Sequence, residues 1–310
     1  MKFTGNPIIR DKYTADPTVL VHHDTLYLYT GHDEPPAGED TYVMKDWLLF
    51  STDNMLDWKE YPSPLKATDF RWAKGDAYAS KVIEQKGKFY WFVSVSHAGQ
   101  KGKAIGIAVA SHPTGPFKDA LGHALITHDM LPPTDNELAN LDPSALIDND
   151  GSIHLFWGNG QCYYAKLNDD LTGLDSPIRK VILQEFSEGA HIHQRNGLYY
   201  LSYGSGHPER VAYAMSRSID GPWEYEGILN ELAGNCETNR PAIIDFRGKT
   251  YFFYHNGALP NGGSHRRAVC VDYLYYNEDG TIRRIVMSTE GITLPPQTHP
   301  SHSPGSSARP

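Results

Sequence analysis

Three acidic residues and one arginine hold similar places ahead of strand-forming segments. Each precedes a turn residue by eight or nine positions, in the pairs Asp16 and Asp24, Asp142 and Gly151, Glu188 and Gly197, and Arg240 and Gly248. Two carboxyl groups on opposite sides of a glycosidic bond can hydrolyse it, because one protonates the leaving oxygen while the other activates water or attacks directly. A third carboxylate raises the pKa of the acid by like-charge repulsion. An arginine offsets that repulsion and can bind sugar hydroxyl groups.

Each of these acids also has a structural explanation when it is taken alone. Asp16 and Asp142 precede proline and Glu188 precedes Gly189, and such pairs are common at turns. Their similar positions in separate segments favour a shared function. A calcium site is a further alternative, because converging carboxylates hold hard cations. Residues 148–151 resemble a calcium loop but lack its downstream glutamate, so we interpret them as a turn.

Five segments combine a turn residue with an aromatic-rich strand pattern, which indicates an internal repeat. They are HHDTLYLYTG (22–31), QKGKFYWFVS (85–94), DNDGSIHLFWG (148–158), QRNGLYYLSYG (194–204) and DFRGKTYFFYH (245–255). Helical periodicity is nearly absent, and the 28 glycines and 21 prolines interrupt the chain every few residues. The spacing between repeats is too irregular for a β-helix, and a β-sandwich is the other alternative.

The repeats predict an all-β fold, a five-bladed β-propeller. We expect it to span residues 1–296 as a single domain, followed by a poorly ordered Ser- and Pro-rich tail at 297–310. The first strand of each propeller blade lines the central channel. Equivalent residues at the starts of those strands are therefore expected to converge at one end of the channel.

Composition excludes several classes of function. The net charge is −9 without a basic run, so we expect no nucleic-acid partner and no anionic membrane surface. No apolar run reaches the roughly 18 residues of a membrane span. The three cysteines are far apart, which predicts buried free thiols. No apolar leader follows Met1, so we expect either a cytoplasmic protein or a secreted or periplasmic one whose leader has been removed.

Three short blocks carry a family resemblance. The blocks are Ala15-Asp16-Pro17, Leu141-Asp142-Pro143-Ser144 and Ser187-Glu188-Gly189. They resemble the three acid motifs of glycoside hydrolase family 43, and the likeness extends from about residue 6 to residue 294. Further blocks at 71–76, 261–263 and 267–271 resemble its arabinofuranosidase and xylosidase members, often labelled xylanase-D-like. The family has a five-bladed propeller, in agreement with the repeat count.

The resemblance implies an inverting mechanism with a role for each acid. Asp16 is expected to be the general base, Glu188 the general acid, and Asp142 the residue that tunes the pKa of Glu188 and orients it.

The resemblance also implies residues that bind the substrate. Arg240 or Arg267 is expected to contact the sugar, and Trp72 is expected either to stack on the sugar or to belong to the core. No cofactor is required, but the family implies a structural calcium ion on the propeller axis, near His255. A hydrogen-bonding role in the core is the alternative for this histidine.

The expected activity is removal of α-L-arabinofuranosyl or β-D-xylosyl units from arabinoxylan, xylan or their oligosaccharides. An endo-1,4-β-xylanase or arabinanase on the same fold is one alternative, and a non-catalytic propeller that binds carbohydrate or protein is another. The expected partner is a plant polysaccharide or oligosaccharide, and we expect the chain to be a monomer.

Overall fold

The computed structural model describes residues 5–293, which form twenty β-strands and two short 3-10 helices, Ala67–Asp69 and His128–Met130. None of these residues belongs to a helix long and apolar enough to cross a membrane. The tail expected at 297–310 lies outside the described residues.

The strands form five antiparallel sheets in chain order. The first contains β1 (Thr14–His22), β2 (Thr25–His32), β3 (Asp46–Thr52) and β4 (Lys59–Lys66). The second contains β5 (Ala73–Gly75), β6 (Ser80–Gln85), β7 (Lys88–His97), β8 (Lys103–Ala110) and β9 (Lys118–Asp119). The third contains β10 (Ser144–Ile147), β11 (Ile153–Gly158), β12 (Cys162–Leu167) and β13 (Arg179–Val181). The fourth contains β14 (Phe186–Arg195), β15 (Leu198–Ser205), β16 (Arg210–Ser216) and β17 (Glu224–Asn230), and the fifth β18 (Ala242–Phe246), β19 (Lys249–Asn256) and β20 (Ala268–Leu274).

The innermost strands β1, β6, β10, β14 and β18 contact one another in cyclic order around a central channel. Each sheet extends outward from its innermost strand through hairpins between sequential strands. This radial arrangement is a five-bladed β-propeller, so the predicted fold class is confirmed and the β-sandwich and β-helix alternatives are wrong.

Tight turns join the inner strands to their neighbours where the repeat pattern predicted them. The β14–β15 loop consists of Asn196 and Gly197, with φ angles of 51° and 77°. The β6–β7 loop of Lys86 and Gly87 and the β18–β19 loop share this geometry. Two consecutive positive φ values match the right-handed twist of the flanking strands, and glycine adopts them without a steric penalty.

The fifth blade has three strands, and the N-terminal segment covers its open edge. Ile8 donates its backbone N–H to Val269 of β20 at 2.9 Å. The Asn6 side chain donates to the Val271 carbonyl at 3.1 Å and accepts from the Val271 N–H at 2.9 Å. The start of the described chain therefore joins its last blade and closes the ring, which the sequence did not predict.

Aromatic side chains fill the spaces between neighbouring blades. Tyr29 and Trp47 of the first blade pack with Trp91 and Phe117 around the second, all at most 4% exposed. Cys162, Cys236 and Cys270 are buried free thiols, as predicted. The site therefore rests on a rigid ring of packed sheets.

Candidate active site

A cavity of about 500 Å³ opens at the end of the channel where the innermost strands begin. Asp16, Asp142 and Glu188 all line it. The three carboxyl groups selected from the sequence thus share one cavity, although the first and last are more than half the chain apart.

Local backbone irregularities aim two of these acids into the cavity. The pairing of β1 with β2 shifts register between Ala15 and Thr18, which places Asp16 in a bulge with a φ angle of 49°. Asp142, two residues before β10, has a φ angle of 57°. Aspartate is one of the few side-chain-bearing residues that adopt this left-handed region readily, and bulges turn side chains in new directions.

The register places Glu188 one residue away from the position expected by counting back from the turns. The corresponding pairs across the strands are Ala15 with Gly31, Leu141 with Gly158, and Glu188 with Gly204. Gly189, with a φ angle of 71°, therefore stands where the other blades have Asp16 and Asp142. Counting back nine residues from the turn reaches Asp142 because the β10–β11 connection is long. Across the shorter, two-residue β14–β15 loop the same count reaches Glu188 instead of Gly189.

Asp16 lies beside a fixed positive charge. Arg267 donates to its Oδ1 from Nη1 at 3.1 Å. Two further bonds of 2.9 Å, from Nε and Nη2 to the two carboxylate oxygens of Asp33, hold the guanidinium in place. Because this fork is rigid and always charged, it holds the Asp16 carboxyl group in a fixed orientation beside a positive charge.

Glu188 lies in a different environment. Asn159 donates from Nδ2 to its Oε2 at 2.6 Å, and Glu188 makes no ion pair with any of the described residues. Burial raises the pKa of Glu188, and the negative charge of Asp16 adds to the effect. These surroundings favour a carboxyl group that keeps its proton.

Asp142 connects the backbone around Glu188 to Arg240. Its Oδ2 accepts the N–H of Gly189 at 2.7 Å, and its Oδ1 lies 3.9 Å from Arg240 Nε. Burial and then the charge of Glu188 raise the pKa of Asp142 to about 8, despite the opposing effect of Arg240. The two buried carboxyl groups therefore retain a proton between them near neutral pH.

The predicted substrate-binding residues separate into two groups. Arg267 lines the cavity, whereas Arg240 does not and donates to the carbonyls of Pro143 and Pro17 at 3.0 and 3.4 Å. Trp72 lies outside the cavity and donates its indole N–H to Asp119 at 3.0 Å. Neither Trp72 nor Arg240 thus lines the cavity that the acids share, and contact of either with the sugar stays a prediction.

The residues at His255 do not fit the calcium ion that the family resemblance implies. His255 Nδ1 accepts the backbone N–H of Asp16 at 3.2 Å, and Nε2 donates to the Thr238 carbonyl at 3.0 Å. Both ring nitrogens are thus engaged. Burial lowers the pKa of His255 to about 3, so the ring is neutral. The core hydrogen-bonding alternative describes its contacts.

Elsewhere within residues 5–293, the one group of three ligating side chains near enough to share an ion is His32, Glu34 and Asp46. His32 Nδ1 and Asp46 Oδ1 already pair at 2.9 Å. This group does not line the acid cavity.

Sequence reasoning missed several polar residues of the cavity, among them Tyr78, Asn159 and Glu209. The register of β6 with β7 gives Ala79 in the second blade the place of Asp16 in the first, so Tyr78, its neighbour, could have been found. Asn159 and Glu209 lie in loops after β11 and before β16. Loop positions carry no periodic signal that marks them as lining a site.

Comparison with known proteins places this geometry in context. The family model described as "Glycosyl hydrolases family 43" matches residues 4–282. A Humicola insolens protein, "Xylosidase/arabinosidase 43A", is 28% identical over 89% of this chain and 98% of its own length.

Two solved structures are also similar. One is a β-xylosidase/α-arabinofuranosidase of the same family from a compost microbial metagenome, in complex with xylotriose; it has a TM-score of 0.82 at 25% identity and covers 92% of this chain and 98% of its own. The other is an α-L-arabinofuranosidase from Clostridium thermocellum, with a TM-score of 0.76 at 29% identity over 93% of this chain and 98% of its own.

Proposed function

The chain belongs to glycosyl hydrolase family 43 and is a glycosidase, and we propose that it removes α-L-arabinofuranosyl or β-D-xylosyl units from arabinoxylan- or xylan-type plant polysaccharides or their oligosaccharides, with inversion. The choice of sugar rests on the relatives, whose names specify xylosidase and arabinosidase activities. The choice of catalytic residues rests on the contrast between the surroundings of Asp16 and Glu188, which is the single observation that carries the proposal.

In this mechanism Asp16 is the general base. Its carboxylate, held by Arg267, accepts a proton from a water molecule as that water attacks the anomeric carbon. Inverting enzymes separate the base and acid carboxyl groups by about 6.5–9.5 Å to leave room for this water. Asp16 is positioned for the role by its hydrogen bond from the fixed Arg267 guanidinium.

Glu188 is the general acid. It donates its proton to the glycosidic oxygen as the bond to the leaving group breaks. Burial without a cationic partner supports this role, because the protonated form persists to a higher pH than for a free glutamate. Asp142 orients the acid through the N–H of Gly189, and repulsion between the two carboxyl groups helps the pair to retain a proton.

The dimensions of the cavity support action on chain ends and side groups. A volume of about 500 Å³ lies in the range of pockets that enclose small ligands. Tyr42, Leu138 and His207 contribute to its walls. Such a pocket suits one or two sugar units better than a long internal segment of a polysaccharide.

The test compares wild type with Glu188→Gln on aryl α-L-arabinofuranosides and aryl β-D-xylosides. We expect kcat/KM of the variant to fall by about 10²–10⁴ with a poor leaving group. The loss is expected to be much smaller with dinitrophenol, which leaves without protonation. Proton NMR of the first product is expected to show the inverted anomer.

Glu226→Gln is the matched control, because Glu226 is exposed on β17. Equal losses for good and poor leaving groups argue that Glu188 is not the acid. A wild-type protein that binds xylo-oligosaccharides but hydrolyses neither glycoside identifies a binding propeller instead.

A further inference from the structure

A fourth carboxyl group lines the cavity, and the mechanism above does not use it. Glu209 lies immediately before β16, next to the wall formed by Gly206 and His207. The residue is 4% exposed, yet it lies on the cavity surface together with Glu188. A side chain this buried is held in place and cannot swing into solvent.

Its contacts leave half of the carboxyl group unengaged. Oε2 accepts the backbone N–H of Asn239 at 2.8 Å, and this is the single hydrogen bond of the Glu209 side chain to the described residues. The carboxyl group packs against Gly204, where an added Cβ would lie 2.6 Å from Oε2. Gly204 is the cross-strand partner of Glu188, so Glu209 is fixed beside the proposed acid.

The charges around Glu209 are unfavourable for a carboxylate. Glu209 forms no ion pair within residues 5–293, while Asp16, Asp142 and Glu188 line the same cavity. Burial, and then repulsion by Glu188, raise the pKa of Glu209 to about 9. A buried carboxyl group without a cation is stable mainly in its protonated form.

We propose that Glu209 acts as a neutral carboxylic acid that donates its O–H to a hydroxyl group of the sugar in the cavity, and so determines which sugar is accepted. This inference rests on the proposed function. A protonated carboxyl group offers a donor and an acceptor together, as a sugar hydroxyl group does, whereas a carboxylate can only accept. A site that hydrogen-bonds a hydroxyl group in this way rejects sugars that lack it, because the buried polar atoms are left unpaired.

The test uses Glu209→Gln and Glu209→Met on the aryl glycoside that the wild type prefers. Glutamine offers a donor and an acceptor without charge, so it is expected to limit the loss in kcat/KM to about threefold. Methionine has a similar length and no strong hydrogen-bonding group, so the expected loss is about ten- to hundredfold. Rescue by glutamine is a result that a merely space-filling role does not give.

A second measurement compares substrates that lack one hydroxyl group at a time. In the wild type, one of these deoxy glycosides is expected to lose at least tenfold in kcat/KM. In Glu209→Met, kcat/KM for the same deoxy glycoside is expected to be little lower than for the parent glycoside, because the variant already lacks the carboxyl group that contacts this hydroxyl group. This pattern identifies the contacted hydroxyl group, and it depends on ratios within one variant rather than on the folded fraction.

Either of two results overturns the inference. If Glu209→Gln loses as much activity as Glu209→Met, a charged carboxylate is needed at this position. If both variants match the wild type, Glu209 does not touch the sugar. Both results leave the proposed function intact, because that proposal fails only if wild type is inactive or Glu188→Gln retains full activity with poor leaving groups.

Discussion

The two ends of the central channel bury ionisable groups of opposite kinds. At the end where the innermost strands begin, Asp16, Asp142 and Glu188 surround the cavity. At the other end, a second cavity of about 440 Å³ is lined by later residues of the same strands, including Lys81 and His193. One scaffold thus carries three buried carboxyl groups at one end, the acid end, and Lys81 and His193 beside Glu84 and Asp245 at the other, the basic end.

The two ends also differ in backbone geometry. At the acid end, β1 and β14 are bulged, and Asp16 and Asp142 have left-handed backbones. At the basic end, the β6–β7 pairing continues from Ser80 to Gln85 without a register shift. Bulged pairing at one end, and regular pairing up to the tight turns at the other, is the pattern expected of a functional site on a rigid scaffold.

Lys81 is expected to lower the stability of the native state. Among the described residues it has no hydrogen-bonding or ion-pair partner, and burial followed by the charge of Arg240 lowers its pKa to about 8. Burial also lowers the pKa of His193 to about 3, with a further contribution from Lys81. These groups are therefore expected to affect stability, whereas the carboxyl groups affect catalysis.

Among variants that test the difference between the two ends of the channel, Asp142→Asn is expected to have the largest effect. Asparagine keeps a side-chain oxygen for the Gly189 N–H but removes the second carboxyl group, with which Glu188 shares a proton. We expect kcat/KM to fall by about 10²–10³. The alkaline limb of its pH profile is expected to move to lower pH, since Glu188 then loses its proton more easily.

The matched control for Asp142→Asn is Asp24→Asn, which alters an exposed aspartate at the β1–β2 turn. This control is expected to retain both the rate and the pH profile of the wild type. An Asp142→Asn profile whose alkaline limb does not move would show that Asp142 orients Glu188 without tuning its pKa.

The fold and the acids were predictable because they depend on patterns that repeat. The turn and aromatic strand recur five times, and Asp16 and Asp142 precede proline at the start of such units. The three acids share one cavity even though Glu188 was misaligned by one residue. The reason is that Glu188 and Gly189 both lie near the start of the innermost strand β14.

The remaining features depend on tertiary contacts without a local signature. Glu209 lies in a loop, and its burial follows from the packing of Gly204 against it. Asn6 closes the ring through its side-chain amide in a segment that contains Pro7 and lacks the alternation of a strand. Trp72 resembles a sugar-stacking residue in sequence, but it donates to Asp119 and does not line the cavity.

An intermediate effect is expected at the basic end from Lys81→Met, which removes a half-buried, unpaired charge. Below pH 8 the native state must hold Lys81 protonated in an unfavourable environment, whereas the unfolded chain has a lysine of ordinary pKa. We expect the free energy of unfolding at pH 7 to rise by about 1–3 kcal/mol. The value of kcat/KM is expected to stay within about twofold.

Urea denaturation at pH 7 and pH 10 provides the measurement. Between about pH 8 and 10.5 the unfolded wild type binds more protons at this site than the native state, so this lysine contributes increasing stability as the pH rises. The advantage of the methionine variant is therefore expected to shrink at pH 10. An equal advantage at both pH values would attribute it to packing rather than to charge.

The smallest effect is expected from divalent cations. At the acid end, the Asp16 N–H and the Thr238 carbonyl occupy both ring nitrogens of His255, so a metal ion has to break one of these buried hydrogen bonds to reach the ring. At the other end, the ammonium group of Lys81 repels a second cation.

Dialysis against EDTA is therefore expected to change neither kcat/KM nor the melting temperature by more than about 1 °C, and calcium added to the dialysed protein is expected to have no effect. Binding raises the melting temperature of any protein whose native state holds the ion. A calcium-dependent increase that persists in Lys81→Met would contradict the assignment of His255 to the core, and an increase seen only in that variant would show that Lys81 is what excludes the ion.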